Sequence, residues 1–335
     1  TDRKMNAIAA PLNKVIDSLQ ACNCTTIVVA AIGLIGLFVV AKWALCLASG
    51  VLSALTTGSK LKKYQKPGSW AVVTGATDGI GQAFAADLYQ KGWNVLIVSR
   101  TQSKLDEVIR TDLSGKGESA SVCIDFSNAT EHDYARLKAA VAGKDVGLLI
   151  NNVGVGYPHP EYFHLIEDSL VRDLCRINIE ATMFVTRAVL PNMMTQKRGL
   201  VINISSGSSL TPTCPLLSVY AASKAFLNNW TPSMNSEYNS NGIFFETLTP
   251  FYIVSKLSKF RKPTMTIPTP KAYVKSVFAK VGNFPLHTGY WAHSAMVFIL
   301  DSVFPKWYAF KYMMDIHLKA RAAALRKAEA AKKNN

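Results

Sequence analysis

The sequence is short of charged residues, and of acidic ones in particular. Charged side chains make up 18% of its 335 residues and hydrophobic ones 49%, which excludes an intrinsically disordered chain. The 22 acidic residues against 37 basic ones leave a formal net charge of +15, which points to nucleic acid or an anionic membrane surface as a partner. The positions of the basic residues have to distinguish the two.

Cysteines are also few and scattered. The only close pair, Cys22 and Cys24, has no His or Cys partner at zinc-site spacing, and His164 and His293 have no ligand spacing either. We therefore expect no metal site, and a reducing compartment for most of the chain.

One long apolar run lies near the N-terminus. Residues 25–47 are apolar except for Lys42, and about 20 such residues span a bilayer core. Lys42 and Trp43 fall near the end of the run, where both side chains suit the membrane interface. We predict a transmembrane helix; a buried core helix is the alternative, and a cleaved signal peptide fits less well because its apolar region is shorter.

The lysines that follow this run explain part of the basic charge. Lys60, Lys62, Lys63 and Lys66 have no acidic residue between them, whereas charges before the run are nearly balanced. The positive-inside rule then predicts that the rest of the chain is cytosolic, with these lysines against anionic lipid. We expect a lipid bilayer as a partner, and no nucleic acid.

Beyond Pro67 and Gly68, apolar runs rich in β-formers alternate with helical patterns. Strands this apolar are buried on both faces, so the alternation predicts an α/β fold with a doubly wound parallel sheet. The predicted strands are residues 70–74, 95–99, 121–125, 147–151, 200–204 and 243–249, and helices are predicted at 82–91, 104–113 and 131–142.

A glycine-rich turn follows the first predicted strand. Residues 74–81 read Thr-Gly-Ala-Thr-Asp-Gly-Ile-Gly and lead into a helix. A dinucleotide pyrophosphate needs such a tight turn and the free N–H groups of a helix N-terminus. No Lys-Ser/Thr pair follows, which excludes a P-loop. The position between strand and helix favours a dinucleotide site over an ordinary turn.

Arg100 ends the second predicted strand, where an NAD-binding unit usually carries a carboxylate. A guanidinium at this point suits a 2′-phosphate, which favours NADP(H). The alternative is a solvent-exposed arginine at a strand end.

Further motifs occur downstream in a fixed order. Tyr220 and Lys224 are four residues apart and face the same way on a helix. Asn178 lies in a helical segment, and residues 151–154 (Asn-Asn-Val-Gly) and 202–206 (Ile-Asn-Ile-Ser-Ser) end two strands. With the glycine turn, these motifs resemble the short-chain dehydrogenase/reductase superfamily from about residue 70 to residue 250. The resemblance implies a Rossmann-like doubly wound parallel sheet.

The resemblance also implies site residues and NADPH as the cofactor. Ser206, Tyr220, Lys224 and Asn178 are the implied catalytic tetrad: Tyr220 donates a proton, Lys224 lowers its pKa, Ser206 binds the substrate carbonyl and Asn178 connects Lys224 to water. The stretch from Ser206 to Tyr220 is a residue longer than the common spacing, so Ser205 and Ser208 stay alternatives for the serine. The implied cofactor contacts are Gly75, Thr77, Asp78, Gly79, Ile80, Gly81, Arg100, Asp125, Asn152, Gly154, Tyr220, Lys224, Pro250 and Val254.

Residues 249–263 and 288–296 narrow the resemblance to the membrane-bound very-long-chain 3-ketoacyl-CoA reductases, which include enzymes called 17β-hydroxysteroid dehydrogenase type 12. It implies NADPH-dependent reduction of a long-chain 3-ketoacyl-CoA to the (R)-3-hydroxyacyl-CoA in fatty-acid elongation. It also implies the endoplasmic reticulum membrane, a cytosolic catalytic domain and other elongase-complex enzymes as partners. The alternatives are a 17-ketosteroid reductase with the same cofactor and a non-catalytic elongase scaffold.

The C-terminal part carries two more features. Residues 284–314 are rich in aromatic side chains and are predicted to dip into the membrane or cover the acyl chain, with ordinary core as the alternative. Lys256, Lys259, Arg261 and Lys262 pair either with coenzyme A phosphates or with anionic lipid. The predicted organisation is residues 1–24 as an N-terminal segment, 25–47 transmembrane, 48–67 a basic linker, 68–255 the reductase domain, 256–318 a substrate-covering and membrane-associated region, and 319–335 a basic tail whose lysines resemble a dilysine retrieval signal.

Overall fold

The computed structural model describes residues 14, 24–55, 58–115 and 117–333. The chain divides into two compact units, residues 1–56 and 57–335. Most of the predicted N-terminal segment, residues 1–24, lies outside the described residues, as does the very end of the basic tail.

Helix α1, Cys24–Leu55, and residue 14 are the described parts of the first unit. Within it, Thr26–Leu45 is 20 residues long and apolar enough to cross a membrane by length and composition. This agrees with a membrane-anchored protein, and the helix extends past the predicted residues 25–47 at its C-terminal end.

The second unit is built on a seven-stranded sheet whose strands are all parallel and run in the order β3-β2-β1-β4-β5-β6-β7. The prediction of a doubly wound parallel sheet is therefore confirmed. The strands are β1 Trp70–Thr74, β2 Asn94–Ser99, β3 Ser119–Cys123, β4 Val146–Asn151, β5 Gly199–Ile204, β6 Ile243–Leu248 and β7 Leu286–His287. Strand β7 was not predicted, because two residues are too short to show a period.

Helices cover both faces of the sheet. They are α2 Leu61–Tyr64, α3 Gly79–Gln90, α4 Gln102–Asp112, α5 Glu131–Val141, α6 Asp168–Cys175, α7 Ala181–Gln196, α8 Ser218–Tyr238, α9 Pro270–Phe278, α10 Trp291–Phe298 and α11 Lys306–Lys333. A π-helical turn, Arg176–Glu180, joins α6 to α7, and a second one, Ile299–Val303, follows α10.

Two hydrophobic clusters show why the strands are apolar throughout. Val73 of β1 packs with α3, α4 and α9 on one face, whereas its neighbour Val72 packs with α5 and α7 on the other. Alternate side chains of a strand point to opposite faces, so a strand covered on both sides has to be apolar at every position.

The chain before β1 is built into the body of this unit. The amides of Gly58 and Lys60 donate to the carbonyls of Ala279 and Val281 at 3.1 and 3.0 Å. The Arg198 guanidinium donates to the Tyr64 carbonyl and to both carboxylate oxygens of Asp145, at 2.5 and 2.6 Å. Of the predicted linker, residues 48–55 belong to helix α1, and residues from Gly58 onwards are hydrogen-bonded into the second unit.

Loss of the Asp145 carboxylate leaves the Arg198 side chain, which is 10% exposed, without its counter-charge. We expect Asp145→Ala to lower the free energy of unfolding by about 3 kcal/mol in chemical denaturation of the detergent-solubilised protein. Asp168→Ala is the matched control, because its ion pair with Arg172 is largely solvent-exposed. Equal losses in the two variants would contradict this account.

Candidate active site

The glycine turn lies at the carboxyl end of β1 and opens helix α3. Gly75 and Gly79 have φ of +64° and +57°, a region in which side chains with a Cβ are strained. At Gly81 an added Cβ would lie 2.3 Å from both the Gly75 carbonyl oxygen and the Asn152 Nδ2 atom. Asp78 caps the helix, accepting from the Gly79 amide at 2.8 Å. The turn therefore leaves a backbone cradle at a helix N-terminus, which suits a dinucleotide phosphate.

Asn152 holds this cradle from the neighbouring strand. Its Nδ2 donates to the carbonyls of Thr74 and Gly75 at 3.0 and 3.2 Å, and its amide donates to the Thr74 hydroxyl at 3.0 Å. Because the side-chain donors are directed to the turn, Asn152 shapes the cofactor cradle by fixing its backbone. The sequence motif implied that Asn152 belongs to the cofactor site, but not that its side chain binds the backbone of the glycine turn.

The remaining predicted cofactor residues lie at the carboxyl edge of the sheet. Thr77 shares a hydrogen bond of 2.9 Å with the Ser99 hydroxyl, and Arg100 is exposed just after β2. Asp125 follows β3 and accepts from the amide and hydroxyl of Ser127 at 3.1 and 2.8 Å.

Pro250, Val254 and Ile80 complete that predicted set. The Pro250 carbonyl accepts from the Gly207 amide at 2.7 Å, and the Val254 amide donates to the Pro268 carbonyl at 3.1 Å. Ile80 is the second residue of α3.

Lys224 extends from α8 into the interior beside the end of β5. It is 5% exposed, and its Nζ donates to the Ile204 carbonyl at 3.0 Å. Burial lowers the pKa of Lys224 to about 8, because the ammonium has lost most of its water. Room for the ammonium comes from Gly154, where an added Cβ would lie 3.0 Å from the Lys224 Nζ.

Asn178 is brought next to Lys224 by the π-helical turn. Its Oδ1 accepts from the Val155 amide at 2.9 Å, and its Nδ2 donates to the Val155 carbonyl and the Ser223 hydroxyl, each at 3.0 Å. The Asn178 Oδ1 would lie 3.2 Å from the same added Cβ at Gly154, so the amide oxygen and the ammonium face one small space. A π-turn at a functional site is a common device for such placement.

The three candidate serines have different surroundings. The Ser205 hydroxyl is buried and donates to the Lys224 carbonyl at 2.7 Å, so it ties β5 to helix α8. The Ser208 hydroxyl donates to the Ser206 Oγ at 3.0 Å. Among these three, only the Ser206 side chain affects the Tyr220 phenol, whose pKa it lowers. This favours Ser206 as the serine that acts with the tyrosine.

Tyr220 lies in the first turn of α8, with its ring against Gly156. Burial raises the pKa of the Tyr220 phenol, the hydrogen bond with Ser206 lowers it, and the nearby Cys214 and Tyr252 raise it further. Desolvation by burial is the largest effect on this phenol, and the Lys224 ammonium donates to the Ile204 carbonyl. The lowering of the phenol's pKa by Lys224 stays a prediction. A raised pKa keeps the phenol protonated at neutral pH, as a proton donor requires.

His293 holds the loop that follows β6, a role that sequence spacing could not reveal. It is fully buried, its Nδ1 accepts from the Phe251 amide at 3.3 Å, and its Nε2 donates to the Thr266 carbonyl at 3.1 Å. Burial lowers the pKa of His293, so the ring is neutral and structural. His164 lies exposed on another loop.

A groove of about 1200 Å³ runs along α3 from the cofactor turn. Lys256 lies at its mouth, 3.3 Å from the Asp78 carboxylate, and the Lys259 Nζ donates to the Pro158 carbonyl. Lys271 and Lys327, which the sequence did not indicate, line the groove together with three of the four predicted cations, whereas Lys262 is not among its lining residues. Its basic lining is Lys256, Lys259, Arg261, Lys271 and Lys327.

Comparison with known proteins places this site in a family. A model of the short chain dehydrogenase family matches residues 69–266. A very-long-chain 3-oxoacyl-CoA reductase-B from Danio rerio is 38% identical over 302 residues, which covers 89% of this chain and 96% of that protein. The human very-long-chain 3-oxoacyl-CoA reductase is 38% identical and covers 78% of this chain and 83% of its own length.

Solved structures share the fold. A metagenomic short-chain oxidoreductase in complex with NADP is 32% identical with a TM-score of 0.51, covering 55% of this chain and 82% of that one. A 7beta-hydroxysteroid dehydrogenase has a TM-score of 0.64 at 23% identity, covering 74% of this chain and 97% of that one, which shows the common fold.

The serine assignment can be tested by three alanine variants. We expect Ser206→Ala to lower kcat for ketone reduction by about 10²-fold, because a hydrogen-bond donor to the developing oxyanion is lost. Ser208→Ala should keep turnover, and Ser205→Ala should chiefly lower stability, by about 1 kcal/mol. Steady-state kinetics with thermal unfolding measure both effects. A loss of kcat in Ser208→Ala as large as that in Ser206→Ala would move the role to Ser208.

Proposed function

The chain belongs to the short-chain dehydrogenase/reductase family and is an oxidoreductase, and from this premise we propose that it is an NADPH-dependent very-long-chain 3-oxoacyl-CoA reductase. The product is the (R)-3-hydroxyacyl-CoA of fatty-acid elongation. The observation that carries the proposal is that Tyr220 and Lys224 lie one turn apart on α8, with the phenol kept protonated beside Ser206 and the ammonium buried at the end of β5. Similarity to reductases of this substrate class over most of the chain supports the choice of substrate.

The residues present fit NADPH. The turn at Gly75 and Gly79 and the N-terminus of α3 would hold the pyrophosphate. The missing Cβ at Gly81 lets the start of α3 pack closely against Gly75 and Asn152, which brings the backbone N–H groups together. Arg100, exposed at the carboxyl end of β2, would pair with the 2′-phosphate. Lys224 and Tyr220 would contact the nicotinamide ribose. When bound, NADPH supplies the hydride.

The side chains of the tetrad then handle the proton. Ser206 donates a hydrogen bond to the substrate carbonyl oxygen, and Tyr220 gives its phenolic proton to that oxygen as the alkoxide forms. The ammonium of Lys224 and the hydroxyl of Ser206 stabilise the phenolate that remains. Asn178, whose amide oxygen faces the same space as the Lys224 Nζ, connects Lys224 to water for reprotonation.

The basic groove suits the coenzyme A part of the substrate. Its cations come from the loop after β6, from the start of α9 and from α11, and phosphates pair well with such clusters. Leu257 of the same loop lies 3.5 Å from the Cβ position of Gly156, which also borders the Tyr220 ring. One loop therefore borders both the groove and the site of reduction, as a phosphopantetheine arm requires.

Membrane attachment fits the lipid origin of this substrate. Besides α1, aromatic side chains on α10 and α11 are exposed, including Trp291 at 51% and Trp307 at 70%. Large exposed apolar side chains call for a covering partner, and here a bilayer supplies it. We place the protein at the endoplasmic reticulum membrane with the catalytic unit in the cytosol, and expect other elongase-complex enzymes as partners.

The central test is oxidation of the nicotinamide by the purified, detergent-solubilised protein. We expect turnover of a long 3-oxoacyl-CoA with NADPH, much slower turnover with NADH, and little turnover of a 17-ketosteroid. Tyr220→Phe should lower kcat by about 10³-fold, because the proton donor is lost. Its NADPH affinity, measured by fluorescence titration, should change far less than kcat, because the glycine cradle and Arg100 are retained. Faster reduction of the steroid would favour the alternative ketone, and NADPH binding without turnover of either would favour a scaffold.

The groove can be tested by charge reversal. Each of Lys259→Glu, Arg261→Glu and Lys271→Glu should raise KM for the acyl-CoA by about tenfold, since one charge-assisted contact to phosphate is lost. Turnover of the same acyl group on a short thiol without phosphates should not change. Lys138→Glu on α5, on the other face of the sheet, is the control. An unchanged KM in all three groove variants would assign these cations to lipid instead.

A further inference from the structure

Helix α11 contacts the segment that leads into the catalytic helix. His317 of α11 is 3% exposed, and its Nδ1 donates to the Pro215 carbonyl at 2.6 Å. Ala309 and His317 are the buried residues of this helix. Most of this long helix is exposed, so the buried hydrogen bond from His317 to Pro215 fixes the helix against the rest of the unit at one defined position.

Helix α11 also contacts Glu161, whose backbone amide binds the carbonyl of the next residue, Leu216. The Arg321 Nε and Nη2 donate to the two Glu161 carboxylate oxygens at 2.6 and 3.0 Å, a bidentate pair with both side chains mostly buried. The Glu161 amide donates to the Leu216 carbonyl at 2.8 Å. The consecutive carbonyls of Pro215 and Leu216 are thus held by α11 and by the residue that α11 pairs with.

The held segment is strained. Leu216 has a φ of +62°, in the left-handed region that a leucine avoids, and its side chain is buried. Such a conformation persists only where surrounding contacts impose it. Helix α8 begins two residues later, after Leu217, whose side chain has no group that can cap a helix. The direction of the first turn of α8 therefore depends on the bend at Pro215 and Leu216.

Tyr220 lies in that first turn. The bend also carries Cys214, whose thiol is close enough to Tyr220 to affect the phenol. On the other side, the loop that contains Glu161 begins beside Gly156, against the Tyr220 ring, and the Arg321 guanidinium stacks on Tyr162 in that loop, 5.4 Å from the ring centroid. Arg321 thus holds the loop on one side of the tyrosine, and His317 contacts the bend on the other.

We propose that α11 is a positioning element for the reaction: His317 and Arg321 hold the bend at Pro215 and Leu216 and so align Tyr220 with Ser206. Neither residue touches substrate or cofactor in this account. The inference rests on the proposed function only in assigning proton donation to Tyr220.

The test compares His317→Leu, which loses the donor, with His317→Asn, which keeps an N–H near the Nδ1 position. Arg321→Gln is a second variant that removes the ion pair should His317→Leu fold poorly, and Lys319→Gln is an exposed control on the same helix. We expect His317→Leu and Arg321→Gln to lower kcat by about tenfold or more, since small displacements of a reacting group are costly, with NADPH affinity unchanged. His317→Asn should recover most of the loss.

Two readouts separate positioning from stability. First, Ser206→Ala should lower kcat by a smaller factor in the His317→Leu background than in the unmodified protein, because both changes disrupt the same alignment of Tyr220 with Ser206. Second, the phenol of Tyr220, followed by tyrosinate absorbance against Tyr220→Phe, should titrate at higher pH in His317→Leu as the Ser206 hydrogen bond weakens. This titration depends on Ser206, Cys214 and Tyr252, which act on the phenol, and it needs no substrate. It therefore tests the inference even if the 3-oxoacyl-CoA is not turned over. Additive losses, an unmoved titration, or unchanged kcat in both variants would overturn the inference.

Discussion

The ammonium of Lys224 is a cation held inside the protein, and much of the site is arranged around it. Removing a charge from water is costly unless hydrogen bonds replace the solvent. Here the Ile204 carbonyl accepts from the ammonium, Gly154 leaves the space and the Asn178 oxygen faces it. Ser205 fixes the same residue through its backbone carbonyl. Burial lowers the pKa of Lys224 to about 8, which leaves the ammonium mostly protonated at neutral pH.

Burial shifts the pKa values of Lys224 and Tyr220 in opposite directions. It lowers the pKa of the lysine and raises that of the tyrosine, because each shift disfavours the charged form. At neutral pH the tyrosine therefore carries its proton and the lysine carries its charge. Ketone reduction needs this pair of protonation states at its start, and the pair identifies Tyr220 as the general acid.

Local patterns in the sequence were sufficient to predict most of the fold. Six strands were found because buried parallel strands are continuously apolar, whereas β7 has only two residues. Side-chain roles were harder to predict. Spacing cannot separate Ser205 from Ser206, whose hydroxyls lie in different surroundings, and the raised pKa of Tyr220 depends on burial that no motif encodes. The contacts of α11 with Pro215 and Glu161 join residues far apart in the chain.

The pH dependence of kcat/KM for ketone reduction tests the central claim most directly, because it reports the protonation states of the site before the ketone binds. The account predicts a nearly constant kcat/KM from pH 6 to about 7, half of that value near pH 8, and a further fall with the loss of a single proton, as the buried Lys224 ammonium titrates near its pKa of about 8. A kcat/KM that rises with pH across this range would mean that a deprotonated group is required. That result would contradict a buried cation beside a protonated phenol.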